Sequence, residues 1–174
     1  KQVSAIETEK AMMDPRRVRD VVQYVLEHFD QKTRRADSFV HQVVTNVVDS
    51  SRGRGRADAV LEARRVRGFN AIFATASIDA ARRYYTEFQK QMEELPQDRR
   101  LKVGIIYSYG ANEDVADGVI DEEAFDTSGL EADARTFLED AIQDYNDMFG
   151  TSYDTSSDKF QNYYKDLSLR LKNR

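Results

Sequence analysis

Apolar side chains recur every three or four positions in four stretches of the chain, a spacing typical of amphipathic helices. The stretches begin near Asp14, Ile78, Leu130 and Ser157. The first is predicted to form a helix over residues 14–33. Its apolar side is expected to face a core and consists of Val18, Val21, Val22, Val25, Leu26 and Phe29.

Capping residues support the first two helices. Asp14 is a favourable N-cap, and Pro15 suits the first helical position because an N–H there has no helical partner. For the second helix the expected cap is Thr75 or Ser77, and Pro96 prevents the helix from continuing. We therefore predict two helices with well-defined N-termini.

The two C-terminal helices also carry end signals. Gly150 is expected to stop the helix that begins near Leu130. The last helix has two alternative caps, Ser157 or Asp158, and Asp158 forms a capping box with Gln161. The expected buried face of this helix consists of Phe160, Tyr163, Tyr164, Leu167 and Leu171.

Two apolar runs are predicted to form strands, at about residues 69–75 and 102–108. The helix that begins near Ile78 separates them, so the three elements make a βαβ unit. Such a unit implies a parallel sheet with a right-handed crossover. The predicted fold class is therefore α/β, with a short parallel sheet and flanking helices.

Residues 36–66 are predicted to be a loop-rich basic segment. Their valine-rich middle is compatible with one short strand, and residues 50–56, SSRGRGR, have the composition of a flexible loop. The arginines of this region are candidates for phosphate contact or for a solvated loop, and the sequence leaves both readings open. They are Arg52, Arg54, Arg56, Arg64, Arg65 and Arg67.

Charge divides the chain into a basic and an acidic part. Residues 1–100 hold 19 Lys and Arg against 15 Asp and Glu, whereas residues 101–174 hold 7 against 16. A basic surface attracts phosphates and an acidic one repels them. We therefore expect residues 110–155 to form an acidic helical insertion that lies away from nucleic acid.

The residue types present exclude several kinds of chemistry. Without cysteine, neither a disulfide framework nor a thiolate metal site is possible, and a reducing, cytoplasmic compartment is expected. His28 and His41 are too few for most metal or triad schemes. Residues 154–165 fail as a calcium-binding loop because Lys159 and Lys165 occupy the positions of the required Gly and Glu. No catalytic or metal-binding residue is predicted.

The turn ATASIDAA, residues 74–81, lies between a predicted strand and a predicted helix, where nucleotide-binding motifs occur. It lacks the glycines that let backbone N–H groups close on a phosphate. The glycines of RGRGR, residues 52–56, do not follow a predicted strand. The chain is therefore not expected to bind ATP by itself.

Three long stretches resemble consecutive parts of one known family, the R subunits of type I restriction enzymes. They are residues 1–35, 68–90 and 125–174. The resemblance covers nearly the whole chain and weakens over residues 36–66. Within it, NAIFATAS, residues 70–77, resembles motif IV of superfamily 2 helicases.

The resemblance implies an ATP-dependent DNA translocase with two RecA-like motor domains and a nuclease. ATP and Mg²⁺ would serve the parent subunit, with neither bound by this chain alone. The implied partners are double-stranded DNA, the methyltransferase (M) and specificity (S) subunits, and the first RecA-like domain of the same subunit. No apolar run reaches the roughly 20 residues that span a bilayer, so no membrane is expected among the partners.

The resemblance also divides the chain into three parts. Residues 1–35 would be a helical segment entering the motor domain, residues 36–66 the loop-rich basic segment, and residues 67–174 the first half of the second RecA-like domain. The predicted fold is thus a partial RecA-like domain. The Walker A lysine, the DExx-box carboxylates and the nuclease residues are absent, so the fragment alone is expected to be inactive.

In superfamily 2 motors the end of the motif IV strand faces the nucleic acid. The resemblance therefore implies backbone contacts from Thr75, Ala76 and Ser77, with added charge from Arg82 and Arg83. Thr75 and Ser77 suit a purely capping role equally well. Two other classes of function remain open: a scaffold or subunit-docking module that never touches DNA, and a stand-alone small regulator.

Overall fold

The computed structural model describes residues 11–52, 57–107 and 132–172. Within these ranges the chain forms helices and one two-stranded sheet, which confirms the predicted α/β class. Unit 1 consists of Lys1–Asp37 and Arg67–Val103, and unit 2 of Ser38–Val66 and Gly104–Arg174. In chain order the elements are α1 (Pro15–Lys32), β1 (Ser38–Val44), α2 (Val47–Ser51), β2 (Leu61–Arg67), α3 (Ile78–Glu93), a 3₁₀ turn (Gln97–Arg99), α4 (Ala132–Phe149) and α5 (Ser157–Lys172).

Helix α1 of unit 1 begins and ends within a residue of its predicted bounds. The Asp14 carboxylate accepts hydrogen bonds from the N–H groups of Arg16 at 2.9 Å and Arg17 at 3.3 Å. These bonds satisfy two donors that have no partner within the helix. Val18 and Val22, both on the predicted apolar side, are buried. The predicted first helix is confirmed.

Helix α3 packs on α1 through a small apolar core of Val22, Phe88 and Met92. Two polar contacts fix the relative direction of the helices. Arg83 Nη1 donates to the Met13 carbonyl at 3.3 Å, and Gln91 Nε2 donates to the Arg19 carbonyl at 3.0 Å. Because both contacts advance in the same sense along the two helices, α1 and α3 run roughly parallel and begin at the same end of unit 1.

Helices α4 and α5 form most of the core of unit 2. Leu138, Ile142, Phe160 and Tyr163 have at most 1% of their surface exposed. Gly150 ends α4 as predicted, with φ of 65° and its N–H donating to the Asn146 carbonyl at 2.7 Å. Residues 110–131 of the predicted acidic insertion, including Leu130, lie outside the described residues.

The predicted N-cap of the last helix is wrong by one or two residues, although the helix begins near Ser157 as the apolar spacing predicts. Helix α5 begins at Ser157, and its first backbone bond runs from the Phe160 N–H to the Ser156 carbonyl at 2.8 Å. Ser157 and Asp158 therefore lie inside the first turn and not at the cap. The Ser156 N–H donates to the Asp154 carboxylate at 2.9 Å. This hydrogen bond forms a turn just before the helix.

Strands β1 and β2 form an antiparallel hairpin in the segment predicted to be loop-rich. The Thr45 N–H donates to the Val60 carbonyl at 2.9 Å, and the Gly68 N–H donates to the Asp37 carbonyl at 3.2 Å. These two pairs are equally spaced on both strands, so the register is unbroken. The short valine-rich strand is confirmed as β1, whereas β2 was not predicted.

The two parallel strands predicted at 69–75 and 102–108 are not observed. Among the described residues, 69–75 and 101–107 have no strand pairing, and residue 108 lies outside the described range. Ile72 is 82% exposed, so no described strand covers the first run. In the second run Ile105 and Tyr107 are buried alternately, as in a strand, but the Ile105 carbonyl accepts its hydrogen bond from the Tyr163 hydroxyl. A helix side chain takes the place of a strand partner.

None of the helices in the described ranges has the length and apolar character needed to cross a membrane.

Candidate nucleic-acid interface

Ser77 caps helix α3, as one of the two alternatives from the sequence predicts. Its backbone is extended, with φ of −155° and ψ of 164°, and its Oγ accepts from the Ala80 N–H at 3.1 Å. A hydroxyl cap of this kind contributes about 1 kcal/mol to stability. The remaining N–H groups of the first turn have no carbonyl partner within the helix. The positive end of the helix dipole therefore faces solvent beside Ser77.

Thr75 and Ala76 lie in the turn just before this cap. The Thr75 hydroxyl donates to the Ser77 carbonyl at 3.2 Å, so it supports the turn and does not cap the helix. Ala76 is exposed, and its methyl group is the smallest side chain after that of glycine. The turn thus offers little steric obstruction to a group that approaches the N-terminus of α3.

The two predicted cations of this site differ in their surroundings. Arg83 is exposed, pairs with Asp79 at 3.2 Å between Nε and Oδ2, and also donates to the Met13 carbonyl. Arg82 is half-buried. Exposed i,i+4 ion pairs contribute only a few tenths of a kcal/mol, so Arg83 can leave Asp79 at little cost and bind an anion.

The contact between Arg83 and Met13 adds residues that sequence reasoning missed. It places the first turn of α1, with the exposed Arg16 and Arg17, at the same end of unit 1 as the first turn of α3. We call this region the helix-start surface and define it by its members. They are Arg16, Arg17, Thr75, Ala76, Ser77, Arg82 and Arg83.

Electrostatics make the helix-start surface attractive to anions. Two roughly parallel helices present their positive dipole ends on the same side, and four arginines accompany two acids, Asp14 and Asp79. Asp14 is engaged with backbone N–H groups and Asp79 with Arg83. Helix N-termini with nearby cations are the usual setting for phosphate contacts.

A cleft of about 550 Å³ along the later turns of α1 and α3 has a different character. Its lining carries five acids and four cations, so it has no net attraction for a polyanion. Within the described residues, no group of three or more His, Asp or Glu side chains is arranged to hold a metal ion. The charged residues of the cleft are Arg19, Glu27, Asp30, Arg35, Glu87, Lys90, Glu94, Asp98 and Arg99.

Unit 2 contains a buried carboxylate that the sequence did not reveal. Asp166 on α5 has none of its surface exposed, yet three side chains donate to it. The Tyr145 hydroxyl lies 2.6 Å from Oδ1, the Tyr153 hydroxyl lies 2.7 Å from Oδ2, and Arg170 Nε donates to Oδ1. The Arg170 guanidinium also stacks over the Phe149 ring at 4.1 Å.

The protonation of this cluster suits a structural role. Burial raises the pKa of the Tyr145 hydroxyl far above its ordinary value, and the hydrogen bond to Asp166 adds to the rise. Burial also raises the pKa of Tyr153 to about 12. For Arg170, burial lowers the pKa, but the hydrogen bond to Asp166, the charge of Asp166 and the contacts with Tyr145 together outweigh burial, so the net shift is upward. Two neutral donors and one cation therefore satisfy Asp166 across the neutral range.

A sequence signal for Asp166 existed but was ambiguous. Asp166 stands three residues after Tyr163 and four before Arg170, which places all three on one side of α5. Acids on a helix are usually assigned to the solvent face, because buried carboxylates are rare unless they are paired. Only the positions of Tyr145 and Tyr153 in space identify the partners.

Comparison with known proteins identifies the class to which the chain belongs. Residues 67–174 match the family described as Type I restriction enzyme subunit R domain 3. This match covers more than half of the chain. The chain therefore belongs to the family of type I restriction enzyme R subunits, as the sequence resemblance predicts.

Individual relatives agree with this assignment. The chain is 40% identical over 87 residues, 50% of its length, to the Type I restriction enzyme SsaAORF53P endonuclease subunit of Staphylococcus saprophyticus, of which it covers 8%. It is 26% identical over 170 residues, 98% of its length, to the SauMRSORF196P endonuclease subunit of Staphylococcus aureus strain MRSA252, of which it covers 14%. The chain thus spans a small part of the length of these relatives.

Proposed function

We propose that this chain is part of the ATP-dependent DNA translocase of a type I restriction enzyme R subunit. In this proposal the helix-start surface contacts the phosphate backbone of double-stranded DNA. The observation that carries the proposal is the Arg83 contact with the Met13 carbonyl at 3.3 Å, which brings the starts of two parallel helices together. DNA is the proposed ligand because the relatives of this family are named endonuclease subunits.

The chemistry of this surface fits a translocase. Backbone N–H groups and arginines at a helix start bind phosphate oxygens without reading base edges. A motor that moves along DNA needs contacts that hold the backbone and are independent of sequence. Ser77 takes part by fixing the start of α3, so that its first-turn N–H groups keep one direction.

The finer fold belongs to the same proposal. In the whole R subunit, we place residues 69–75 and 101–107 as strands of a RecA-like parallel sheet. The 82% exposure of Ile72 and the alternating burial around Ile105 support this placement, since both fit a strand that lacks its neighbours. Residues 70–77 would then be motif IV, with its C-terminal end next to the helix-start surface.

Cofactors and partners of the parent are also proposed on this basis. ATP and Mg²⁺ would bind through the first RecA-like domain, since residues 74–81 lack phosphate-binding glycines. The M and S subunits would position the R subunit on DNA, and the S subunit would choose the site. We place this assembly in the cytoplasm.

Binding of a nonspecific duplex by the 174-residue chain tests the proposal. Fluorescence anisotropy of a labelled duplex would compare wild type with Arg16→Ala/Arg17→Ala and with Arg82→Ala/Arg83→Ala. We expect each double variant to weaken binding about tenfold at low salt and to lower the salt slope by roughly two. Arg16 and Arg17 are exposed, so that variant tests the surface without disturbing the core.

The matched control is Lys32→Ala/Lys90→Ala. These two cations stand in the last turns of the same helices, so the net charge changes equally while the helix starts are untouched. The control is expected to bind DNA like wild type. Absence of binding at low salt, or an equal loss in all variants, would contradict the proposal and favour a scaffold or subunit-docking module.

A further inference from the structure

The β1–β2 hairpin, which belongs to unit 2 as far as Val66, has one face open to solvent. Side chains alternate along each strand, so Ser38, Val40 and Gln42 share a face with Ala63 and Arg65 across the register. All five residues are exposed, and Val40 reaches 66% exposure. Sheets with one buried and one solvated face are common, and a single exposed apolar side chain on such a face is ordinary. The charges of this face therefore decide what it can bind.

The opposite face anchors the hairpin within unit 2. Val43 on β1 is buried, and the His41 Nε2 lies 3.2 Å from the Lys172 carbonyl at the end of α5. The hairpin is therefore held by one face and cannot present the other face to the core. The described residues of unit 2 leave the open face exposed, so it is available to a partner.

The arginines in and near the hairpin differ in whether a carboxylate pairs with them. Arg64 pairs with Glu62 at 2.8 Å, and Arg52 in the connection pairs with Asp49 at 3.4 Å. Among the described residues, no carboxylate forms an ion pair with Arg65 or with Arg67, the last residue of β2. Alternation places Arg65 and Arg67 on the open face, about 7 Å apart along the strand.

Arg65 is also held in position on this face. Its Nη1 donates to the Ser38 hydroxyl at 3.2 Å, across the strands. The hydrogen bond orients the guanidinium without neutralising it, because serine is uncharged. A pre-positioned guanidinium loses less side-chain entropy when it binds an anion than a mobile one does.

We propose that the open face of the hairpin binds the sugar–phosphate backbone of duplex DNA, separately from the helix-start surface. A polyanion matches a face with two arginines and no acid, and arginines bind phosphate oxygens without reading base edges. DNA is favoured over an acidic protein because the chain belongs to a family of endonuclease subunits. The exposed Val40 beside Arg65 supplies apolar contact with the sugars.

The test is salt-dependent binding of a labelled nonspecific duplex to the 174-residue chain, between about 50 and 200 mM salt. Arg65→Ser/Arg67→Ser should weaken binding at low salt about tenfold and lower the salt slope by roughly two. The matched control, Arg52→Ser/Arg64→Ser, removes the same charge from cations that already have carboxylate partners, and its affinity should change less than about twofold. Arg65→Lys/Arg67→Lys should keep the slope of wild type, because the charge remains.

The outcomes separate this inference from the proposed function. Loss of binding in Arg16→Ala/Arg17→Ala with none in Arg65→Ser/Arg67→Ser would overturn the hairpin inference alone. The reverse pattern would overturn the helix-start surface alone and support the hairpin. Equal losses in Arg65→Ser/Arg67→Ser and its control would reduce the effect to net charge and overturn the inference. Binding of polyglutamate that is lost in the same variant would assign the face to an acidic protein and also overturn it.

Discussion

In unit 1 the polar side chains of the proposed site lie at exposed helix starts, whereas in unit 2 the polar side chain with the most partners is completely buried. Ser77 and Arg83 satisfy backbone groups of their own unit and remain accessible from outside. Asp166 is closed off by Tyr145 and Tyr153. A polar group with all its partners inside the fold stabilises that fold, while one at a solvent-exposed helix end is available to a ligand.

Apolar side chains show the same contrast between the units. Unit 2 encloses Leu138 and Ile142 completely, whereas unit 1 leaves Ile72 at 82% and Phe73 at 43% exposure. Phe73 does pack against the Tyr84 ring at 4.9 Å between centroids. Unit 1 therefore combines an available polar surface with an exposed apolar segment. Among the described residues of unit 2, the exposed large apolar side chains, Val40, Val60 and Leu61, lie in or next to the hairpin.

Removal of the buried carboxylate should give the largest effect. Asp166→Ala leaves two tyrosine hydroxyls and Arg170 without their acceptor, so we expect the free energy of unfolding to fall by about 3–5 kcal/mol. Urea unfolding followed by circular dichroism measures the loss. Asp140→Ala, an exposed acid on α4, is the control and should change stability by less than about 0.5 kcal/mol. A small loss in Asp166→Ala would show that the cluster does not hold unit 2 together.

Truncation of an apolar side chain should give the next largest effect, with a larger loss of stability at a buried position of unit 2 than at an exposed position of unit 1. Leu138→Ala in unit 2 creates a cavity in a closed core, and we expect a loss of about 3 kcal/mol. Ile72→Ala in unit 1 removes a side chain that is already in water, so it should cost less than about 0.5 kcal/mol. The same urea experiment measures both. Equal losses would mean that Ile72 is covered in the folded chain, contrary to its exposure.

Alkaline pH should weaken unit 2 selectively. The pKa values of Tyr145 and Tyr153 are raised in the folded state, so the folded chain holds these protons more tightly than the unfolded chain. Their stabilising contribution is complete below the unfolded pKa of about 10 and is lost as pH rises towards the folded values. The loss is at most about 1.4 kcal/mol per pH unit for each tyrosine.

Unfolding by urea at several pH values checks this dependence. Tyr153→Phe should flatten the dependence between about pH 10 and 12, because it removes the group whose folded pKa lies near 12. Tyr24→Phe, which changes an exposed tyrosine of unit 1, is the control and should leave the profile unchanged. A profile without any loss of stability above about pH 10 would contradict the assignment.

Substitutions of Ser77 should give the smallest change in stability and distinguish its two roles. Ser77→Ala removes the cap of α3 and should cost about 1 kcal/mol. Ser77→Asn and Ser77→Asp both retain a capping oxygen, so both should stay close to wild type in stability. Only Ser77→Asp adds a negative charge, so it alone of these two should weaken DNA binding. Equal DNA affinity of the two variants would mean that Ser77 only caps the helix.

Sequence predicted the helices well because their signals are local. The Asp14–Pro15 start, the Ser77 cap and the Gly150 stop each depend on a few neighbouring residues, and the structure confirms all three. The prediction of strands at 69–75 and 102–108 was wrong because a strand requires hydrogen bonds to a partner backbone. The Ile105 carbonyl instead accepts a hydrogen bond from the Tyr163 hydroxyl on α5.

The candidate site was only half predictable for the same reason. Thr75, Ala76, Ser77, Arg82 and Arg83 follow one another closely in sequence, so one motif resemblance points to all of them. Arg16 and Arg17 join them through a contact between residues 13 and 83, and no local pattern reveals that the two helices run parallel. The open face of the hairpin escaped prediction because β2 lacks apolar alternation.

Chemical footprinting of arginines shows whether duplex DNA binds at the helix-start surface. The 174-residue chain would be treated with phenylglyoxal with and without a nonspecific duplex, and the modified arginines identified by mass spectrometry. We predict that DNA protects Arg16, Arg17 and Arg83 at the helix-start surface, while Arg135 on α4, exposed in the acidic part of unit 2, stays as reactive as in the free chain. Full reactivity of Arg16 and Arg17 in the presence of DNA, or equal protection of Arg135, would contradict DNA binding at the helix-start surface.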